Sequence, residues 1–347
     1  MSGPGIGPQR YRSRGRYVRF RVTSSVPSAH ISIVPSRFPI GTLLLVATLA
    51  SPALPVSAQE RSPVEATSLL GKPLRRPDLS AAATRIAEAN LATARRAWER
   101  TPENADSIIW LGRRLAYLGR YGEAIEVFSR GIERHPEDAR LYRHRGHRYI
   151  TIRKLDLAIA DLGRAHELTR GKRDEVEPDG QPNAAGIPTS TLHSNIRYHL
   201  ALAHYLKGDF EKALPFQQAD VDAAVNPDMV VASSHWLYMT LRRLGRNAEA
   251  AKVLEPITPD MKILENGSYH RLLLMYKGVL PADSVLGPAD RGDAIQDATV
   301  GYGVGNWHLY NGRAKEARAA FERVLTSPQW AAFGYIAAEA ELARGVK

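Results

Sequence analysis

The amino-acid sequence predicts an all-α fold, a solenoid of about six antiparallel helix pairs with a capping helix at each end. Three observations predict it. A turn followed by a helix recurs as Gly119-Arg-Tyr-Gly-Glu-Ala124, Arg153-Lys-Leu-Asp-Leu-Ala158, Gly208-Asp-Phe-Glu-Lys-Ala213, Gly245-Arg-Asn-Ala-Glu-Ala250 and Gly312-Arg-Ala-Lys-Glu-Ala317. The first two phrases are 34 residues apart, and Gly245 and Gly312 are 67 apart, which fits two units with a looser turn at Lys277-Gly278 between them. Pro102 precedes Pro136 by 34 residues, so the helix breaks keep the same period. A fixed period of this length marks stacked helical hairpins, each of which buries its apolar face only against its neighbours.

Taken in order, the helix expected over Ser80 to Arg100 is the second half of an incomplete leading unit that ends before Pro102. Units follow at 105–138 and 139–172, then near 194–227, 231–263, 264–297 and 298–331. Gly208 and Gly245 are 37 apart, a step with three extra residues, and Arg153 to Gly208 spans 55, a step that carries an insertion of 21. Small residues at Gly112, Gly146, Ala124 and Ala158 allow two helices to approach closely, while Phe128, Leu162 and Phe321 fill the groove between hairpins. The last segment begins at Ser327 with Pro328 placed as its first helical residue, and Trp330, Phe333, Ile336, Ala340 and Leu342 have helical apolar spacing.

Residues 105–138 resemble the tetratricopeptide repeat slot by slot: Leu111 and Gly112 in the first helix, Gly119 and Tyr121 at the turn, Ala124 and Phe128 in the second helix, Pro136 at the break. Tyr142, Gly146, Tyr149, Ala158, Leu162 and Ala165 repeat the pattern, as do Gly305, Ala317 and Phe321. The resemblance covers roughly residues 80–345. It implies a right-handed superhelix whose first helices line a concave groove, and a non-enzymatic scaffold of the bacterial exported type that binds a peptide, protein segment or anionic ligand there.

Export is expected from the leader. Residues 1–58 hold seven arginines and no acid, then an apolar run from Ile40 to Ala50, then Val56-Ser57-Ala58 before Gln59. This is the order of a secretory signal peptide cleaved after Ala58, and the apolar run is well short of the ~20 residues that span a bilayer. The expected location is periplasmic or secreted, with no stable membrane span after cleavage and a flexible linker over 59–79. The formal charge of +11 falls to 40 basic against 36 acidic residues beyond the leader, which argues against nucleic acid as a partner. The absence of cysteine excludes disulfides, thiolate metal sites and thiol nucleophiles.

The richest candidate stretch is the first helix of the second unit, where Arg140, Arg143, His144, Arg145, His147 and Arg148 crowd together. By resemblance, Arg140, Arg143 and His147 face inward, with Arg113 and Tyr117 before them. Tyr198, Leu202 and Tyr205 follow in the third unit, His235, Met239, Arg242 and Arg243 in the fourth, and Tyr302, Asn306, Leu309 and Tyr310 in the sixth. Guanidinium forks bind carboxylate and phosphate, and aromatic rings supply contact area for a peptide. Ile109 and Arg113 stand where a chaperone-tail adaptor needs lysine and asparagine, which argues against that class.

The insertion at about 171–193 reads as a long loop carrying Asp174, Glu175, Glu177 and Asp179, expected to fold over the groove as an acidic lid. Gly186 stands where a calcium loop needs its bidentate acid. Flanking arginines argue against a metal at His144 and His147. Gly301, Gly303 and Gly305 follow no strand and read as packing positions rather than a phosphate turn. No cofactor is expected. The alternative is an envelope enzyme or accessory subunit with a site built from the 140–148 helix, the 171–204 stretch and His193, His199 or His204, although no spacing singles out a catalytic set.

Overall fold

Helix boundaries follow local capping chemistry. Asn104, Thr191 and Asn226 each accept a hydrogen bond from the third residue of the helix they precede, and Asp138 accepts one from Arg140 N. The computed structural model describes residues 62–286 and 294–346. The expected leader and its cleavage site after Ala58 lie outside them. Among the described residues six pairs are formed: α2 (Ala105–Tyr117) with α3 (Tyr121–Arg134), α4 (Ala139–Thr151) with α5 (Leu155–Thr169), α6 (Leu192–Lys207) with α7 (Phe210–Asp222), α8 (Pro227–Arg243) with α9 (Asn247–Val253), α10 (Gly267–Tyr276) with α11 (Ala282–Val285), and α12 (Ala294–Tyr310) with α13 (Ala314–Val324). α1 (Ala81–Arg100) precedes them and α14 (Phe333–Arg344) follows. Among the described residues no helix is long and apolar enough to cross a membrane.

The recurrent phrase marks the turn within each pair. Gly119, Gly208, Gly245, Gly278 and Gly312 all have φ between 72 and 84°, and Arg153 holds the same place at 66°. That left-handed residue lets the chain reverse after two backbone bonds have closed the first helix, as when Arg120 N donates to Leu115 O and Lys154 N to Tyr149 O. Behind the turn the helices of a pair touch. A Cβ on Gly112 would lie 2.4 Å from the Phe128 ring, one on Gly146 2.7 Å from Leu162 and one on Gly305 2.6 Å from Phe321, so the small-residue slots read from the sequence are close-contact points.

The arc closes on itself. α14 packs on α12 and α13 as the next first helix would, and it also meets α6. The Arg153 guanidinium pairs with Glu339 at 2.8 Å and donates to Trp330 O, Arg344 donates to Leu206 O, and Phe333 packs against His147 and His199. Gly334 through Glu341 are buried. Pro328 does not open this helix: residues 327–332 form a turn that carries Trp330 into the core, where its indole donates to Arg75 O at 2.6 Å and meets Tyr121 edge-on.

Residues 64–75, expected within a flexible linker, instead form a hairpin of β1 (Val64–Thr67) and β2 (Pro73–Arg75), paired antiparallel. Glu65 explains why. Its carboxylate pairs with Arg76 and accepts from the backbone N–H of Tyr121 and Gly122, which neutralises the positive end of α3 and ties the hairpin to the solenoid.

Candidate functional site

α2 and α4 are both 13-residue helices set by caps at Asn104 and Asp138, so equivalent turns of each face the interior. Arg113 and Tyr117 on α2 are four apart, as are Arg143 and His147, and His144 and Arg148, on α4; residues at that spacing share a helix face. The insert lies across them. Arg113 donates to Pro178 O and Arg114 to Gly180 O, each at 2.9 Å. The Glu177 carboxylate is 3.1 Å from Arg143 Nε, 3.7 Å from His144 Nε2, and accepts from Asn195 Nδ2. A Cβ on Gly180 would fall 1.8 Å from the Tyr117 hydroxyl, so a side chain there would push Tyr117 and Arg113 aside. At its far end the insert reaches Glu265 through Asn183 and Thr189, and Asn226 donates to Thr189 O.

Between insert and helices is a cavity of about 180 Å³ that Arg113, Tyr117, Arg143, His147, Arg148 and Glu177 help to line. Burial lowers the Arg143 pKa, with Glu177 opposing it, and burial brings Arg148 down to about 10. Arg148 has no carboxylate or hydrogen-bond partner among the described residues; the Tyr121 ring lies 5.7 Å from its guanidinium. His144, His147 and His199 are all held well below the usual imidazole range, first by burial and then by nearby arginines, so they are neutral at pH 7. Arg143 Nη1 lies 3.1 Å from His144 Nδ1, which accepts and leaves the histidine proton on Nε2, toward Glu177.

The sequence profile described as the tetratricopeptide repeat matches residues 105–148, which contain α2, α3 and most of α4. The chain carries tetratricopeptide repeats. Repeats of this kind make it a scaffold for protein–protein contacts. Three solved structures are similar at low identity. One is YrrB, described as a TPR protein with an unusual peptide-binding site (16% identity over 72% of this chain and 97% of that one, TM-score 0.38). Another is a tetratricopeptide repeat protein from Parabacteroides merdae ATCC 43184 (12%, 73% and 92%, TM-score 0.44). A third is Naa15/Naa10 bound to HypK-THB (15%, 75% and 37%, TM-score 0.34). No curated protein matches the chain.

The inward slots carried over from the tetratricopeptide pattern divide four ways. Arg113, Tyr117, Arg143 and His147 meet beneath the insert, as described. Tyr205, His235 and Asn306 do not line an open groove: they are buried inside the closed arc. Tyr205 shares a 2.7 Å hydrogen bond with Tyr302 and accepts from Asn306 Nδ2, and His235 lies between the Tyr269 and Tyr276 rings. Tyr198, half-buried, accepts from the Trp236 indole and packs on Phe333. Ring burial against neighbours and α14 outweighs exposure to a ligand at these positions.

Arg242 and Tyr310 form a separate half-buried stack, the guanidinium 4.3 Å from the ring centroid. Arg140 is turned away from any ligand by two carboxylates, Asp106 and Asp138, each 2.6 Å from it. Arg243, likewise, is paired with Glu341. The inward slots left out Arg148, which stands in the candidate stretch, and Arg114, which the sequence did not single out. Their signal was available: Arg148 is one turn beyond His144, and Arg114 adjoins Arg113 with Trp110 beneath both guanidinium groups.

Proposed function

We propose that the chain is an exported, non-enzymatic tetratricopeptide scaffold, periplasmic or secreted, that binds an acidic peptide or protein segment across α2 and α4, where its own insert otherwise lies. The insert is the observation that carries this reading. It is a stretch of non-helical chain with a carboxylate set toward Arg143 and two main-chain carbonyls held by Arg113 and Arg114, which is how these helices would hold an acidic segment from another protein. Tethering gives the insert a high effective concentration, so a partner must displace it.

Binding rather than catalysis is supported by the state of the polar groups. Glu177 is engaged by Arg143 and Asn195, and the histidines of the enzyme alternative stand apart: His193 beside Asp174, His199 donating to Asn195 O, and His204 stacked on Phe216. Among the described residues no three acids or histidines are placed to hold a metal ion. Export is supported by the basic and apolar leader ending in Val56-Ser57-Ala58.

A synthetic peptide of residues 173–187, titrated by fluorescence anisotropy into a chain lacking those residues, tests the reading. Saturable binding is expected, weakened at least about tenfold by Arg113→Ala with Arg114→Ala, which removes two charged donors. No binding, or binding indifferent to both arginines, would sink it.

A further inference from the structure

The cavity beneath the insert has more positive charge than its own carboxylates neutralise. Arg113, Arg143 and Arg148 face Glu177 and Asp179, and the neighbouring imidazoles are neutral. The acids are already committed. Glu177 is engaged by Arg143 and Asn195, and Asp179 accepts from Gln181 N. Arg113 is likewise satisfied, by Pro178 O and the Tyr117 hydroxyl. Arg148 is not: among the described residues no acid or hydrogen-bond acceptor reaches it. Arg143, 8% exposed, adds a buried Nε–H that no acceptor meets in line, although a Glu177 oxygen lies 3.1 Å away.

Arg148 is half-buried, so its fork keeps some access to water, yet a guanidinium without a counter-ion in such a cleft is unfavourable, and a fork of parallel N–H donors matches the oxygens of a carboxylate or phosphoryl group. The cavity has about 180 Å³, several times the roughly 30 Å³ that one water occupies, which suits a small ion with a few waters. We propose that this cavity is a seat for one small oxyanion of phosphate or sulfate size, held by the free fork of Arg148 with Arg143 beside it. The seat is filled with the insert in place, so it goes beyond the peptide reading and does not depend on it. The ion is the missing counter-charge that lets insert and helices close over three arginines.

The test is calorimetric titration of the full chain, purified without either ion, with sodium phosphate and with sodium sulfate at constant ionic strength set by chloride. Thermal unfolding is followed in parallel. One-site binding and a rise in Tm with ligand concentration are expected. Arg148→Met should bind about 10- to 100-fold more weakly, the worth of a charge-assisted hydrogen bond, yet melt no lower than the parent in chloride alone because it removes an uncompensated charge. Arg148→Lys, which keeps the charge without the fork, should also bind more weakly, whereas Arg140→Met should bind as the parent does. Absence of saturable binding, equal binding by Arg148→Met, or an effect that chloride reproduces would overturn the proposal. Failure of the 173–187 peptide to bind the shortened chain would leave this result untouched, because the titration keeps the insert.

Discussion

Arg153 holds, in the second unit, the left-handed turn position that glycine holds elsewhere, at a cost of about 1–2 kcal/mol for a side chain with a Cβ. Its ion pair with Glu339 and its bonds to the carbonyls of Thr151 and Trp330 offset that cost. Arg153→Gly therefore relieves the backbone but strands a buried carboxylate, and a net loss of about 2–4 kcal/mol is expected in urea unfolding. A second residue sets acid sensitivity. Burial holds His235 at about 3, far below the ~6.5 of a free imidazole. The unfolded chain takes up a proton near pH 6 that the folded chain refuses. Stability present above about pH 6.5 is consequently lost as pH falls toward 3, by about 1.4 kcal/mol per pH unit for each such histidine. His235→Phe should flatten that slope when unfolding is measured between pH 7 and 4. The sequence made the close-packing glycines readable, since Gly112 and Gly146 are separated by one period. Arg153 was unreadable in this sense, because its partner is 186 residues away and no local spacing announces it.

Helices and their pairing were legible because each pair repeats one capping and turn chemistry. The exceptions are segments whose conformation is set by distant contacts: the hairpin held by Glu65, the turn that buries Trp330, and the insert docked on Arg113 and Arg114. The α12–α14 contact offers a direct test of element packing. A Cβ on Gly334 would lie 2.3 Å from Ala298 O, which is backbone and cannot rotate away, so Gly334→Ala should destabilise by about 1–3 kcal/mol. In α5, Gly163 has nothing within 4 Å of such a Cβ, and Gly163→Ala should stabilise by about 0.5–1 kcal/mol. Denaturant midpoints of the two variants moving in opposite directions would bear out the packing described.

At the scale of the whole molecule, the arc is filled from within by α14 and by the insert, so binding surface and core compete for the same first helices. Tyr205 and Asn306 were expected in the groove from slot position alone; position cannot tell whether a later helix will cover them. Removing residues 329–347 should lower Tm and raise binding of a hydrophobic dye, as Tyr205 and Tyr302 lose the cover of α14. The central claim, that the insert occupies the surface a partner would use, is tested most directly by titrating a glutamate-rich peptide into the full chain and into a chain lacking residues 173–187. Binding at least about tenfold tighter to the shortened chain is expected, since the tethered competitor is gone. Equal or weaker binding would contradict the account.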